Sequence, residues 1–457
     1  MKRLFSMIPV GAVLLAGCAV GPDYQVPGAE LEAAFKNAGF SKPPPEGSWW
    51  GLFGDSELNR YIRMAESDSP TARAALARYD LARGTLGLES ADAWPAVTAD
   101  AFGRRQKDSG NSNFSAGTYN DYRAALNVSW EVDLWGRVRR KIGAAVAETE
   151  AAGYEYRGAL LSLRGEVARA YLSLRFADAE IALLERTETL RAEARRLMKA
   201  RFDAGASSRI DHERSITEHE SVKSEIAQLR AERGRFENAL AVLVGRNASG
   251  FSVPAKSGRP AVPAPPGAVP SDLLRRRPDI AAAERRLAAS SERIGLAIAS
   301  YLPKLTLTGE GGFRSLSSSD LFNSGSKLWS LGPELEIPIF QGGRAFADKD
   351  RAEAAYRESL ELYRDALLKA VQETEDSMLD ARQLRSASDS RWRGAGSAKT
   401  AASLVRKRYE GGAIDYFEVV ESERTALVEQ RAALAIERAR ALAATRLIQA
   451  LGGGWKR

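Results

Sequence analysis

Residues 122–134 alternate strictly. Tyr122, Ala124, Leu126, Val128, Trp130, Val132 and Leu134 point one way, and Arg123, Asn127, Ser129, Glu131 and Asp133 the other. Period two with one apolar face predicts a strand. The pattern returns where Leu305, Leu307 and Phe313 oppose Lys304, Thr306, Thr308, Glu310 and Arg314. It returns again where Trp329, Leu331, Leu335, Ile337 and Ile339 oppose Ser330, Glu334 and Glu336, and a weaker strand over 97–105 makes the fourth. A soluble sandwich also alternates, but three features favour a membrane barrel. The strands reach about 10 residues, the span of a tilted membrane strand; aromatics such as Trp94, Phe102, Tyr119, Trp135, Trp329 and Phe340 sit toward their ends; and the loops 107–118 and 315–326 are polar and rich in Gly and Ser. Four strands cannot close a barrel, because an open edge in lipid leaves backbone groups unpaired. The chain must therefore assemble, with two copies giving eight strands or three giving twelve.

The second period is helical. Residues 137–201 and 344–408 contain no proline, and either, if continuous, spans roughly 100 Å at about 1.5 Å per residue. In the first, Ile142, Val146, Thr149, Gly153, Tyr156, Leu160, Leu163, Val167, Ala170, Leu174, Ala177, Ile181 and Leu184 alternate steps of four and three. Tyr356, Leu360, Tyr363, Leu367, Ala370, Thr374, Ser377, Ala381 and Leu384 carry the same phase in the second. Such a seam predicts coiled-coil packing. Gly205 and Gly411-Gly412 stop the helices, since glycine readily takes the left-handed position that ends them. Return helices follow over 210–244 and 416–451.

These elements are two copies of one unit. A shift of about 207 residues sets Asp68-Ser69-Pro70 on Arg276-Arg277-Pro278, Trp94-Pro95 on Leu302-Pro303, Gly136-Arg137 on Gly343-Arg344, and Arg201-Phe202-Asp203-Ala204-Gly205-Ala206 on Arg408-Tyr409-Glu410-Gly411-Gly412-Ala413. Prolines at 254, 260, 263, 265, 266 and 270 exclude helix and predict an extended strap between the copies. The expected division is a signal peptide over 1–17, an anchor and N-terminal wrap over 18–66, repeat 1 over 67–245, a Pro-rich linker over 246–276, repeat 2 over 277–451 and a tail over 452–457.

Composition then narrows the function. The 66 basic and 59 acidic residues are interspersed, as on solvated helix faces, which argues against nucleic-acid binding. Lys2 and Arg3 precede an apolar run over 7–15 and then Leu15-Ala16-Gly17-Cys18, a secretory signal ending in a lipobox. Cys18, the single cysteine, is expected to become the mature N-terminus and to carry a covalent diacylglycerol and an N-acyl lipid. Ala19 replaces the aspartate that retains lipoproteins at the inner membrane, which favours the outer membrane. His212 and His219 lack a cysteine or a tight carboxylate cage beside them, so no metal site is predicted. Gly309-Glu310-Gly311-Gly312 lies in a strand and opens no helix, so it is no phosphate loop. No catalytic constellation emerges, and neither an enzyme nor a cofactor is expected.

Cys18-Ala19-Val20-Gly21-Pro22-Asp23-Tyr24, Arg277-Pro278-Asp279-Ile280, Tyr301-Leu302-Pro303 before a strand, and Arg408 to Ala413 followed by Val419-Val420-Glu421-Ser422 resemble the TolC-like outer-membrane factors of tripartite export systems, in their lipoprotein (NodT-like) branch. The likeness covers nearly the whole mature chain. It implies a homotrimer whose twelve-stranded barrel continues into a periplasmic helical tunnel. It also implies docking to a periplasmic adaptor bound to an inner-membrane pump, usually of the proton-driven resistance-nodulation-division class. A type I secretion exit duct shares this fold. A periplasmic adaptor differs in having one hairpin between lipoyl-like halves.

In such factors the helical tips close the tunnel with acidic side chains. An aspartate often lies two residues past the position of Gly412; here Ile414 stands there and Asp415 follows. Asp415 and Glu418 at the second tip, with Asp203 and Asp211 at the first, are the gate candidates, though each also fits a helix-capping or solvated carboxylate. Arg201, Gly205, Arg408, Gly411 and Gly412 are the adaptor-docking candidates. The two arginines equally suit a helix C-terminus, where a cation meets the dipole.

Overall fold

The computed structural model describes residues 19–28, 35–37, 47–109, 111, 117–264 and 277–453. The signal peptide, Cys18, linker positions 265–276 and tail positions 454–457 lie outside them. In chain order the elements are α1 (Ser56–Asp68), α2 (Pro70–Ala91), β1 (Ala96–Lys107), β2 (Thr118–Val132), α3 (Arg137–Asp203), α4 (Arg209–Leu243), α5 (Pro278–Ala299), β3 (Lys304–Ser315), β4 (Lys327–Glu336), α6 (Arg344–Glu410) and α7 (Tyr416–Ala450). The duplication is exact in length for three pairs of helices. The helices α2 and α5 both have 22 residues, α3 and α6 have 67, and α4 and α7 have 35. Pro70 and Pro278 each open their helix, where a missing N–H costs nothing.

The chain divides into two compact units. The first comprises the described parts of Met1–Gly28, Arg78–Gly153 and Ala282–Arg364. It holds one antiparallel sheet in the order β1-β2-β3-β4, so the two copies join at the β2–β3 pairing. Gly312 permits that join, because a Cβ there would sit 2.4 Å from the Ala124 carbonyl oxygen. Below the sheet, Ala147, Ala288 and Ala289 pack around Tyr24.

The second unit comprises the described parts of Ala29–Ala77, Tyr154–Ala281 and Asp365–Arg457. Its largest core gathers Trp49, Trp50, Leu58, Tyr61 and Ile62 against Leu163, Val167, Tyr171 and Leu174 of α3, with Leu240 of α4 and Ile448 of α7. The predicted seams are buried here: Leu163, Val167, Leu174, Ala177 and Leu184 in α3, and Leu367, Ala370, Thr374 and Ala381 in α6. Arg277 is buried as well. It donates to Asp279 at 3.0 and 2.6 Å, to Glu373 at 2.8 Å and to the Ala450 carbonyl at 3.2 Å. The strap is tied down at its start, where Arg175 donates to the Pro254 carbonyl at 2.8 Å and Arg259 stacks over Trp392 at 4.6 Å.

Two strand ends differ from the sequence reading. β2 stops at Val132, and Asp133 leaves the polar face to accept from the N–H groups of Val138 and Arg139, both at 3.0 Å. It serves the orphan donors of α3 instead of the ladder. β4 stops at Glu336, so Ile337 and Ile339 follow the strand. Pro338 lacks a ladder donor, and Gly342 and Gly343 then turn the chain with φ of 60° and 84°.

Candidate functional site

The sheet has two chemically opposite faces. Register places Val97, Leu126, Val128, Leu307, Leu331 and Trp329 on one of them. All are exposed, with Leu331 at 71% and Trp329 at 80%, which is unusual for so broad an apolar surface. The other face is a web of ion pairs. Asp121, only 1% exposed, accepts from Arg104 at 3.1 and 2.8 Å and from Arg314 at 2.8 and 3.0 Å. Arg123 bonds Glu310 at 2.6 Å and approaches Asp100 at 3.4 Å, and Asn127 donates to Asp100. Direct and diagonal cross-strand neighbours are close enough for such pairs. The roles of Asp100, Arg104 and Asp121 were not singled out from sequence. The sequence does carry a signal for them, since Asp121 shares the parity of Arg123 and extends the polar face one step beyond it.

The helical tips repeat one C-terminal geometry. At the first, the N–H of Ala206 bonds the Arg201 carbonyl at 2.8 Å, the N–H of Gly205 bonds that of Phe202 at 2.9 Å, and Gly205 has φ of 71°. At the second, Ala413 bonds Arg408 and Gly412 bonds Tyr409, both at 2.9 Å, and Gly412 has φ of 73°. Both are Schellman closures, in which only glycine takes the left-handed residue without strain. Gly411 continues the helical pattern, its N–H on the Lys407 carbonyl at 3.1 Å.

The side chains then part company. Arg201 does not fold back on its own helix end; it donates to the Tyr409 hydroxyl at 2.6 Å with its guanidinium 5.1 Å over that ring, tying the two tips together. Arg408 is exposed. Beneath them Met198, Tyr416, Val419 and Val420 form a small core, and Tyr416 lies 5.8 Å from Tyr409. Burial raises the hydroxyl pKa of both tyrosines, so both stay neutral at ordinary pH.

The four gate candidates take different positions. Asp203 pairs with Lys199 at 2.9 Å within its helix. Asp211 lies under the Ser208 N-cap, its N–H on the Ser208 hydroxyl at 3.1 Å and its carboxylate accepting from that hydroxyl at 2.7 Å. Asp415 holds the N-cap of α7, the place of Ser208, yet its side chain accepts no cap hydrogen bond and is exposed. Glu418 is exposed in the first turn of α7. His219 bonds Glu188 at 2.7 Å and Arg195 at 3.1 Å, and His212 stacks on Phe202 at 5.5 Å. Among the described residues no three His, Cys, Asp or Glu side chains could hold a metal ion.

Comparison with known proteins accounts for this arrangement. OprJ, an outer membrane protein of Pseudomonas aeruginosa, is 31% identical over 97% of this chain and 94% of its own length. SilC of Salmonella typhimurium, described as a probable outer membrane lipoprotein, is 28% identical over 97% of each. The solved outer-membrane channel OprN superposes with a TM-score of 0.89 at 30% identity, covering 96% of this chain and all of that one. The family model for outer membrane efflux proteins matches twice, over 61–246 and again over 269–453. This chain, with its twofold strand-and-helix repeat, belongs to the outer membrane efflux protein family and is an outer-membrane efflux channel component.

Proposed function

We propose that three copies close their sheets into a twelve-stranded barrel and form a passive exit duct. The duct continues from a periplasmic adaptor and an inner-membrane pump to the exterior. One observation carries the reading: the sheet has an exposed apolar face, an ion-paired polar face, and outer edges on β1 and β4 that pair with no strand among the described residues. In lipid such edges must be satisfied by another copy. The polar face then lines the lumen and the apolar face meets lipid. Cys18, outside the described residues, carries the diacylglycerol and N-acyl anchor in this reading.

The tips form the periplasmic end. Asp415 is the leading gate carboxylate, because its side chain accepts no cap hydrogen bond, and Glu418 stands beside it in sequence. Asp203 and Asp211 are weaker candidates, since Lys199 and Ser208 already hold them. Gly205, Gly411 and Gly412, with exposed Arg408, offer the adaptor a compact docking surface; Arg201 is committed to Tyr409. Such a duct needs no nucleophile and no resident cofactor.

Planar-bilayer conductance of the purified oligomer tests the reading. A cation-passing pore is expected, with altered cation block or leak in Asp415→Asn. Absence of any pore from a folded, oligomeric preparation refutes the duct, and unchanged conductance and selectivity in the variant removes Asp415 from the gate.

A further inference from the structure

The first unit contains a feature that a passive duct does not require. Residues 19–24 lie in a slot between α3 and the C-terminal part of α5. The Val20 N–H bonds the Trp135 carbonyl at 3.0 Å. Arg140, 5% exposed, sends Nε to the Val20 carbonyl at 3.1 Å and Nη2 to the Gly21 carbonyl at 3.3 Å and the Asp23 carboxylate at 3.1 Å, while Nη1 bonds Glu292 at 3.1 Å. Tyr24 then donates to Glu284 at 2.7 Å.

The slot is cut to backbone dimensions. A Cβ on Gly21, whose φ is 98°, would lie 2.5 Å from the Gly295 Cα. One on Gly295 would lie 2.7 Å from Arg140 Nε, and one on Gly136 would lie 2.7 Å from the Ala19 Cβ. Three glycines on three segments therefore make room for one strand of main chain. A buried guanidinium bonding two carbonyls is a strong, directional holder, and Lys cannot reproduce its fork.

We propose that Arg140 is a positioning clamp for the lipid anchor, holding the residues just after Cys18 so that the acyl chains leave the protein at one end of the sheet. Ala19 is one peptide bond from Cys18 and lies against Gly136, next to Trp135. Trp135 donates to the Pro303 carbonyl at 2.8 Å, and Lys304 stands opposite Glu336 in the β3–β4 register. Trp135, Pro303 and the exposed Ile337, Ile339 and Phe340 after β4 thus share that end, an apolar collar suited to the membrane interface. The clamp also joins the copies, because Arg140 belongs to repeat 1 and Glu292 and Gly295 to repeat 2. The inference rests on the reading of Cys18 as the lipidated residue.

The test feeds cells producing the full-length protein a fatty acid bearing a photoactivatable diazirine, irradiates them, and maps the adducts on the purified oligomer. In the natural sequence, adducts are expected to concentrate on the peptides carrying Trp135 and Ile337 to Phe340. In Arg140→Ala and in Gly295→Val, which fills the slot, fatty-acid incorporation is expected to persist while that concentration is lost. An unchanged adduct map in variants that still incorporate the lipid overturns the clamp. No incorporation into the natural protein overturns the Cys18 reading and the inference with it, a distinguishable outcome. Should both variants fail to fold, hydrogen exchange on the natural oligomer decides. The Val20 amide is expected to exchange about 100-fold more slowly than in an unstructured peptide, and exchange at the unstructured rate overturns the proposal.

Discussion

If the duct widens by parting its tips, the Arg201–Tyr409 contact must break in every chain. Tyr409→Phe removes the hydroxyl that accepts from Arg201 at 2.6 Å but keeps the ring under the guanidinium. A hydrogen bond to a charged group contributes about 1.5–3 kcal/mol. Arg201 is exposed, so screening reduces that to about 1 kcal/mol here. Arg201→Ala also loses the cation–π contact, a further loss of about 0.5–1 kcal/mol at an exposed site. Three chains opening together multiply the smaller loss to about 3 kcal/mol, close to 100-fold in the closed-to-open ratio. Single-channel recording should therefore show a large rise in open probability for Tyr409→Phe, a larger one for Arg201→Ala, and unchanged circular dichroism for both. Open probability unchanged in both variants, with the oligomer intact, would falsify the role assigned to this contact.

Three further outcomes are expected. Leu126→Arg, on the apolar face at mid-strand, should destabilise the membrane-inserted oligomer by about 2–4 kcal/mol, whereas Ser129→Arg on the polar face should leave its heat-resistant gel mobility nearly unchanged. Ser208→Ala should lower the urea midpoint by an amount equivalent to about 1 kcal/mol; Asp415→Ala should lower it less, since its carboxylate makes no cap bond. At Asp55, burial raises the pKa, but hydrogen bonds from Tyr171 and from the N–H groups of Glu57 and Leu58 outweigh it and hold the carboxyl below its usual value. Its contribution is complete above the ordinary aspartate pKa and is lost as pH falls through the lowered one. Asp55→Asn should therefore lower stability near neutrality and flatten its acid dependence, read as urea midpoints across the acid range.

Periodicity carried most of the architecture. The four strands are legible in the alternation because one face is apolar over most of its length, and the seams of α3 and α6 because each repeats over many turns. The strand ends were less legible. Asp133 fits the alternation by parity but serves a helix terminus, and Ile337 and Ile339 keep the period past a proline that stops the ladder. Long-range pairs left no trace in the pattern. Arg201 and Tyr409 are 208 residues apart and Arg140 and Glu292 are 152 apart, so only the fold brings each pair together. The duplication does mark both tips, and its register sets Ser208 and Asp415 at corresponding N-cap positions with different chemistry.

The equal lengths of α3 and α6, and of α4 and α7, bear on how this chain can change. One residue inserted into a single rod advances everything beyond it by about 1.5 Å and turns it by about 100°. That rotation would swing Arg201 away from Tyr409 and carry the buried seam into water. Lengthening is therefore tolerated only as matched insertions of whole heptads, made in the outgoing and returning rods of both repeats, so the residue counts of these four helices change together or not at all.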